Sequence, residues 1–110
     1  MSDNYQRACA IGDVEDGAAV RVVLDGIPVA VVRSDGEFYA IHDVCSHANV
    51  ALSEGEIDDQ TIECWLHGSR FDLVTGRPTG LPATRPVPVY PVKIDGEDLL
   101  VSVTSNLLES

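Results

Sequence analysis

Two pairs of cysteine and histidine residues lie close together in the middle of the chain and could bind a metal. Cys45 and His47 form the first pair, Cys64 and His67 form the second, and sixteen residues separate the pairs. The chain has only 3 cysteines and 3 histidines, so most of these side chains fall into two matched clusters. One thiolate and one imidazole from each of two segments make a site for a borderline-soft metal.

Two kinds of metal centre accept two thiolates and two imidazoles. Structural zinc does so, but its usual spacing puts both cysteines in one element and both histidines in another. Here each segment carries one of each. That mixed order suits a [2Fe–2S] cluster in which both thiolates bind one iron and both imidazoles bind the other. The spacing favours the iron–sulfur centre, and a zinc-stabilised binding module without a redox role is the alternative.

The chain resembles the Rieske ferredoxin family. The matching stretches are Cys45-Ser46-His47, Cys64-Trp65-Leu66-His67-Gly68 and the proline loop Gly80-Leu81-Pro82. The resemblance covers nearly the whole chain and implies a [2Fe–2S] cofactor bound by Cys45, His47, Cys64 and His67. It further implies that the cysteines hold the inner iron, and that the histidines hold an outer iron at the surface, where the electron leaves.

The ligands and their surroundings predict the reduction potential. Two neutral imidazoles in place of two thiolates remove negative charge, so an added electron is repelled less and potentials reach about −150 to +300 mV. High-potential members of the family carry an extra cysteine in each loop, joined as a disulfide, where this chain has Val50 and Leu66. Ser69 matches a serine that donates to sulfur in those members, but Phe71 replaces a donating tyrosine. We therefore expect a low-potential centre.

Turn dipeptides between short β-branched runs predict the strands that must position these residues. No segment has a sustained helical period. Asp-Gly pairs at 25–26, 35–36 and 95–96 predict tight hairpins, because a type I′ turn needs positive φ at both central residues. Further turns are expected at Asp58-Asp59 and Thr75-Gly76. Pro28 lies near the start of its apolar run, where a missing N–H is tolerated at a sheet edge.

The fold class follows from this pattern together with the resemblance. We predict a single all-β domain over residues 1–110, with about eight or nine short antiparallel strands. Residues 43–85 are richer in Gly, Pro and small polar residues and contain both Cys/His pairs. The expected architecture is the Rieske (ISP-like) fold, an antiparallel β-sandwich base with an inserted cluster-binding subdomain at approximately 43–85.

Composition excludes several classes of partner. Seven Lys and Arg residues face 18 Asp and Glu residues, for a formal net charge of −11, and this surface repels nucleic-acid phosphate and anionic membrane. Apolar runs such as Ile27–Val32 are far too short to span a membrane. The first residues do not resemble a secretory signal, and the cysteine spacing does not suggest a disulfide framework. A reducing cytoplasm fits best.

Several other residues are interpreted as structural. His42 precedes Cys45 by three residues but is expected to be an ordinary residue at a strand end, since four ligands already complete the centre. Cys9 is interpreted as a small buried hydrophobe on the first strand. Trp65 suits packing over the centre more than docking of a partner. Gly68, Gly80 and Pro82 are assigned to loop geometry, with Leu81 and Pro82 covering one face of the cluster, as the resemblance implies.

A chain equipped for one redox centre and nothing else is predicted to be an electron carrier and not an enzyme. It has no glycine-rich dinucleotide motif, and a catalytic oxygenase subunit would need two further histidines and a carboxylate. The motif resembles the ferredoxin components of bacterial aromatic-ring dioxygenases. This implies a flavoprotein reductase using NAD(P)H as donor and a terminal non-heme iron oxygenase as acceptor. The alternative is a stand-alone Rieske ferredoxin for another pathway, such as iron–sulfur cluster assembly.

Overall fold

Ten short strands make up most of the secondary structure in the part of the chain that the structure describes. The computed structural model describes residues 5–44, 51–58, 60–64, 70–79 and 86–103. Within those ranges helical structure is limited to two 3₁₀ turns, Ile11–Asp13 and Leu52–Glu54. The strands are β1 Gln6–Ala10, β2 Ala18–Leu24, β3 Ile27–Ser34, β4 Glu37–His42, β5 Ile57–Asp58, β6 Thr61–Glu63, β7 Arg70–Asp72, β8 Val89–Tyr90, β9 Val92–Asp95 and β10 Asp98–Val101.

The strands form three antiparallel sheets, which confirms the predicted all-β class. The outer sheet has the order β1-β10-β9, the central sheet β2-β3-β4-β8 and the distal sheet β5-β6-β7. The strand count is slightly higher than expected because β5 and β8 contain two residues each. Strands this short have no alternating pattern to detect in the sequence.

The first two predicted hairpins are confirmed. Leu24 pairs with Ile27 across the β2–β3 turn, and the two residues between them have φ of 54° at Asp25 and 77° at Gly26. The next turn repeats this geometry, with φ of 53° and 81° at positions 35 and 36. Positive φ at both central residues is the requirement of a type I′ turn.

The third Asp-Gly pair forms a different turn. Asp95 pairs with Asp98, so the two central residues are Gly96 and Glu97, of which only Gly96 has positive φ, at 66°. This is the pattern of a type II′ turn, which needs glycine at the first central position only. The last strand therefore begins directly after Glu97 and runs over Asp98–Val101.

The turns of the distal sheet lie close to their predicted positions. Asp58 pairs with Thr61, and Gln60 has a φ of 66°, so the β5–β6 turn is centred one residue later than expected. After β7 the chain turns at Gly76, whose φ is 75° and whose N–H donates to the Asp72 carbonyl at 2.7 Å.

Pro28 lies in a central strand, so the expectation of a sheet edge was wrong. It pairs with Val23 of β2, while β3 also pairs with β4. The Pro28 carbonyl points towards β4 and accepts a hydrogen bond from the Asp43 N–H at 3.0 Å. Its missing N–H would face the same side, where β4 has already ended at His42. The proline therefore removes a hydrogen bond only at the end of the ladder.

The central sheet is covered on both faces. On one face Ala30, Val32 and Ile41 share a buried cluster with Ile62 and Phe71 of the distal sheet. On the other face Val29, Val31 and Ala40 share a second cluster with Cys9, Leu99 and Val101 of the outer sheet. Alternate residues of β3 thus enter different cores, which explains the unbroken apolar run at 27–32. Among the described residues no helix is long and apolar enough to cross a membrane.

Candidate metal centre

Cys64 is the one predicted ligand within the part of the chain that the structure describes. It directly follows β6, is fully buried and is a free thiol. The remaining predicted ligands and several loop residues lie outside the described residues: Cys45, His47, Val50, Trp65, Leu66, His67, Gly68, Ser69, Gly80, Leu81 and Pro82. The geometry of the site is therefore described through the residues that hold the ends of three segments. The three segments are the first ligand segment (44–52), the second ligand segment (64–69) and the proline segment (80–85).

The first ligand segment is closed by a buried carboxylate. Asp43 is fully buried, and its side chain accepts hydrogen bonds from the Ser53 N–H at 2.6 Å and the Ser53 hydroxyl at 2.7 Å. Arg21 donates to the same carboxylate at 3.1 Å. The two ends of the segment that contains Cys45 and His47 are thus held together by one side chain. Charge-assisted hydrogen bonds of this kind are stronger than neutral ones.

The central sheet anchors the start of this segment on both sides. The His42 N–H donates to the Pro88 carbonyl at 2.9 Å, and the Asp43 N–H donates to the Pro28 carbonyl at 3.0 Å. At the other end of the segment Leu52 is fully buried, and its 3₁₀ turn packs against β2, β3 and β6. Both ends therefore rest on the central sheet.

The second ligand segment emerges from the β6–β7 hairpin. Glu63 pairs with Arg70 across the two strands, and their side chains form an ion pair at 3.3 Å. Arg70 also donates to the Thr61 hydroxyl at 3.2 Å. Because both ionic side chains are about one-third exposed, the pair adds less than about 1 kcal/mol. Strand pairing and core packing hold the ends of this segment.

Close backbone contact joins the first ligand segment to the second. The Glu63 N–H donates to the Glu56 carbonyl at 2.8 Å. The Glu63 carbonyl lies so close to Gly55 that a Cβ atom there would overlap it. Only glycine allows this approach. The strand that leads into Cys64 is therefore fixed against the turn that follows the first ligand segment.

The proline segment starts beside the end of the second ligand segment. The Thr79 N–H donates to the Arg70 carbonyl at 2.8 Å, and the Val87 N–H donates to the Gly76 carbonyl at 2.8 Å. A Cβ atom on Gly76 would overlap the Val87 carbonyl, so the returning chain packs tightly on the turn after β7. One end of each of the three segments therefore lies beside β6 or β7.

The surroundings of Cys64 fit a sulfur-ligated cluster. Its thiol belongs to the same fully buried apolar cluster as Leu52, Phe71 and Val87, which separates that side of the site from water. A cysteine that follows a short strand, with a second cysteine on an adjoining anchored segment, supplies the soft donors that iron–sulfur clusters require. The donor set and the burial therefore agree with a [2Fe–2S] centre.

The interpretations of His42 and Cys9 agree with the structure. His42 is the last residue of β4, and its Nδ1 lies 3.4 Å from the Tyr90 hydroxyl. Burial lowers its pKa, and the nearby Asp43 carboxylate partly offsets this. Cys9 lies on β1 in the core between the outer and central sheets, and burial raises the pKa of its thiol.

The sequence did not identify Asp43, Ser53, Arg21 or Gly55 as functional. One signal was available, because Asp43 is an acidic residue at the end of an apolar strand and lies two positions before a predicted ligand, Cys45. The other three residues act through contacts between distant parts of the chain, which no local pattern reveals.

Comparisons with known proteins identify the family. The model of the Rieske [2Fe-2S] domain matches residues 4–91. The 3-phenylpropionate/cinnamic acid dioxygenase ferredoxin subunit of Shigella boydii serotype 4 (strain Sb227) is 47% identical over 98 residues, which cover 87% of this chain and 91% of that protein.

Solved structures agree with this relationship. The ferredoxin of carbazole 1,9a-dioxygenase from Nocardioides aromaticivorans IC177 superposes with a TM-score of 0.86 at 39% identity, over 90% of this chain and 97% of its own. A chain in the complex of reduced oxygenase and oxidised ferredoxin of carbazole 1,9a-dioxygenase gives a TM-score of 0.85 at 36% identity, over 92% of this chain and 94% of that one. The family match decides between zinc and a [2Fe–2S] cluster in favour of the cluster. The chain belongs to the Rieske [2Fe-2S] domain family.

Proposed function

We propose that the protein is a one-electron carrier between a flavoprotein reductase that uses NAD(P)H and a terminal non-heme iron oxygenase of the aromatic-ring dioxygenase type. The observation that carries this proposal is the 47% identity, across 91% of its length, to a protein named as a dioxygenase ferredoxin subunit. The fold is also that of a carbazole 1,9a-dioxygenase ferredoxin. In one solved structure, a ferredoxin of this fold forms a complex with its oxygenase.

Cys45, His47, Cys64 and His67 are proposed as the ligands of the cluster. Bound in this way, a Rieske [2Fe–2S] centre takes up and releases one electron at a time. The buried position of Cys64 supports an inner-iron role for the cysteines, because the apolar core excludes water from that side. The ends of both ligand segments are anchored to each other and to the central sheet, which favours a rigid site that changes little when its charge changes.

The acidic surface suits transient docking. Three exposed carboxylates, those of Glu54, Glu56 and Asp58, lie on the chain between the two ligand segments. With a net charge of −11, the protein is expected to be steered towards basic patches on its redox partners. Such steering raises association rates and weakens as ionic strength increases. We also propose a cytoplasmic location, supported by a cysteine spacing that does not suggest a disulfide framework.

Electron transfer to an oxygenase tests the proposal. The protein is reduced with dithionite, freed of excess reductant and mixed in a stopped-flow instrument with the oxidised oxygenase of the 3-phenylpropionate/cinnamic acid dioxygenase of Escherichia coli, whose ferredoxin subunit is 47% identical to this chain. We expect rapid reoxidation, with a rate that falls as salt is added. Ferricyanide serves as an acceptor that needs no docking.

Reoxidation by ferricyanide without reoxidation by the oxygenase would contradict the proposed acceptor. It would favour a stand-alone ferredoxin for another pathway such as iron–sulfur cluster assembly. The genes beside the coding sequence separate the same two functions, because an oxygenase and a reductase, or assembly proteins, would be encoded there. Reduction by NADH and a flavoprotein reductase tests the donor in a separate assay.

A further inference from the structure

Asp43 is the only charged residue among the described ones that is fully buried. Burying a carboxylate is costly unless it is paired and hydrogen-bonded. Here it has three donors, namely the N–H and hydroxyl of Ser53 and the guanidinium of Arg21. All three partners are donors, so the side chain acts as an acceptor in every contact and contributes one formal negative charge at this place.

Closing the first ligand segment does not itself require that charge. An asparagine in the same place could accept the Ser53 N–H with its amide oxygen and donate to the Ser53 hydroxyl with its amide nitrogen, and it would lose only the contact with Arg21. What the carboxylate adds is an electrostatic field. Water screens the field of Asp43 less than that of Arg21, because the Asp43 side chain is 0% exposed whereas that of Arg21 is 47% exposed.

Asp43 lies close to two of the proposed ligands of the cluster. Asp43 precedes Cys45 by two residues, and two residues of chain span at most about 7 Å. Its hydrogen-bond partner Ser53 adjoins Leu52, which shares a buried cluster with Cys64. Arg21 lies on β2, an edge strand of the central sheet, and its side chain is about half exposed. The negative charge of the pair is therefore buried in the protein, and its positive counter-ion is partly exposed to water.

We propose that the Asp43–Arg21 pair sets the reduction potential of the cluster, with Asp43 lowering it and Arg21 partly offsetting that effect. Reduction adds one electron from the donor protein, converts one ferric ion to ferrous and makes the centre more negative by one charge, with no ligand exchanged. A buried anion opposes this added charge, and a cation favours it. The inference rests on the proposed ligand set and goes beyond the electron-carrier function.

Two variants of this pair test the proposal by opposite shifts. Asp43→Asn removes the buried negative charge, and we expect its potential to lie above that of the unaltered protein. Arg21→Gln removes the counter-ion, and we expect its potential to lie below. The potentials are measured by redox titration followed by absorption, and the EPR spectrum of each reduced variant reports whether the ligands are intact.

Matched controls come from an exposed ion pair of the outer sheet. Arg7 and Asp98 form an ion pair at 2.9 Å, with side chains 59% and 48% exposed. Arg7→Gln and Asp98→Asn change the net charge by the same amount as the test variants. Because these side chains are exposed to water, much smaller shifts of the reduction potential are expected. Ser53→Ala weakens the closure of the segment without removing a charge, and it is expected to lower the melting temperature without raising the potential.

Three results would overturn the proposal. One is a shift in the Asp43→Asn and Arg21→Gln potentials no larger than in the exposed controls. Another is a rise in Ser53→Ala equal to that in Asp43→Asn, which would assign the effect to loop geometry. The third is loss of the cluster from both buried-pair variants, which would give the pair a purely structural role. Failure of the proposed function would appear separately, because the variants would show the expected shifts of potential while the unaltered protein would not transfer electrons to the oxygenase.

Discussion

The carbonyl oxygen of Glu63 lies directly against the Cα atom of Gly55, in the space that a side chain at Gly55 would occupy. The contact joins the turn after the first ligand segment to the strand that leads into Cys64. It is a steric relationship between two backbones, reinforced by the hydrogen bond from the Glu63 N–H to the Glu56 carbonyl. The spacing between the two proposed halves of the cluster site therefore depends on a glycine that is not itself a ligand.

Substitution of Gly55 by alanine is expected to damage the fold and the cluster together. Because the new methyl group overlaps a backbone atom and not a flexible side chain, the two segments must move apart, at a cost of about 1–3 kcal/mol. Urea unfolding and iron content per chain measure the two effects. Gly12→Ala is the control, since nothing lies within 4 Å of its Cβ position. Equal stability and equal iron content in the two variants would contradict this account.

The two cysteines that the structure describes are expected to differ in their effect on iron. Cys64→Ser replaces a proposed thiolate ligand with a hard oxygen donor and should abolish the cluster. Cys9→Ala removes one heavy atom from the other core, between the outer and central sheets, and should cost about 1 kcal/mol of stability. Iron and acid-labile sulfide are measured in both purified proteins. Full iron in Cys64→Ser, or loss of iron from Cys9→Ala, would refute the ligand assignment.

A redox titration is expected to give a potential near the low end of the Rieske range, which extends from about −150 to +300 mV. The position that carries a donating tyrosine in high-potential members is Phe71, which is fully buried in the same cluster as Cys64. Phe71→Tyr should therefore raise the potential by adding a hydrogen bond to sulfur. Phe38→Tyr, which adds a hydroxyl in the other core, should not. A clearly positive potential in the unaltered protein would oppose this prediction.

The stability of the protein should fall between neutral and mildly acidic pH because of His42. Burial lowers the pKa of His42 in the folded protein below its ordinary value of 6.5. The unfolded chain therefore binds the proton first, so this contribution to stability is present above pH 6.5 and is lost as the pH falls through the folded-state pKa. Protonation also removes the ability of Nδ1 to accept from the Tyr90 hydroxyl, which lies 3.4 Å away.

Comparison with His42→Asn isolates this effect. Asparagine is neutral at both pH values, and the other two histidines are retained in both proteins. The free energy of unfolding is measured at pH 7.5 and pH 5.5, and the loss on acidification should be larger for the unaltered protein. Equal losses in the two proteins would show that His42 does not contribute.

The Asp-Gly turn residues made two hairpins of the central sheet predictable from the sequence. Asp25-Gly26 and Asp35-Gly36 adopt the positive φ values expected of them, because the conformational preference lies in the dipeptide itself. The prediction for Pro28 was wrong because it depends on tertiary structure and not on local sequence. Its tolerance in a central strand depends on where the neighbouring β4 ends, and that is a tertiary fact. The two-residue strands β5 and β8 likewise exist only because a longer strand lies beside each of them.

The sequence proposes the ligands of the site but does not indicate the residues that support them. Cysteine and histidine are rare in this chain, so their spacing is informative. Aspartate is common in it, so Asp43 does not stand out by composition. Its role appears only when Ser53 and Arg21 are brought to it from ten and twenty-two positions away. The contact at Gly55 could not be predicted from the sequence either, because it depends on how closely the Glu63 backbone approaches the glycine.

The most direct test of the account is the absorption and EPR spectrum of the purified protein before and after reduction with dithionite. We predict a red-brown protein that is EPR-silent when oxidised and gives a rhombic signal of mixed histidine and cysteine ligation when reduced. A colourless protein that contains stoichiometric zinc and gives no signal after reduction would contradict the central claim that this chain carries a Rieske cluster.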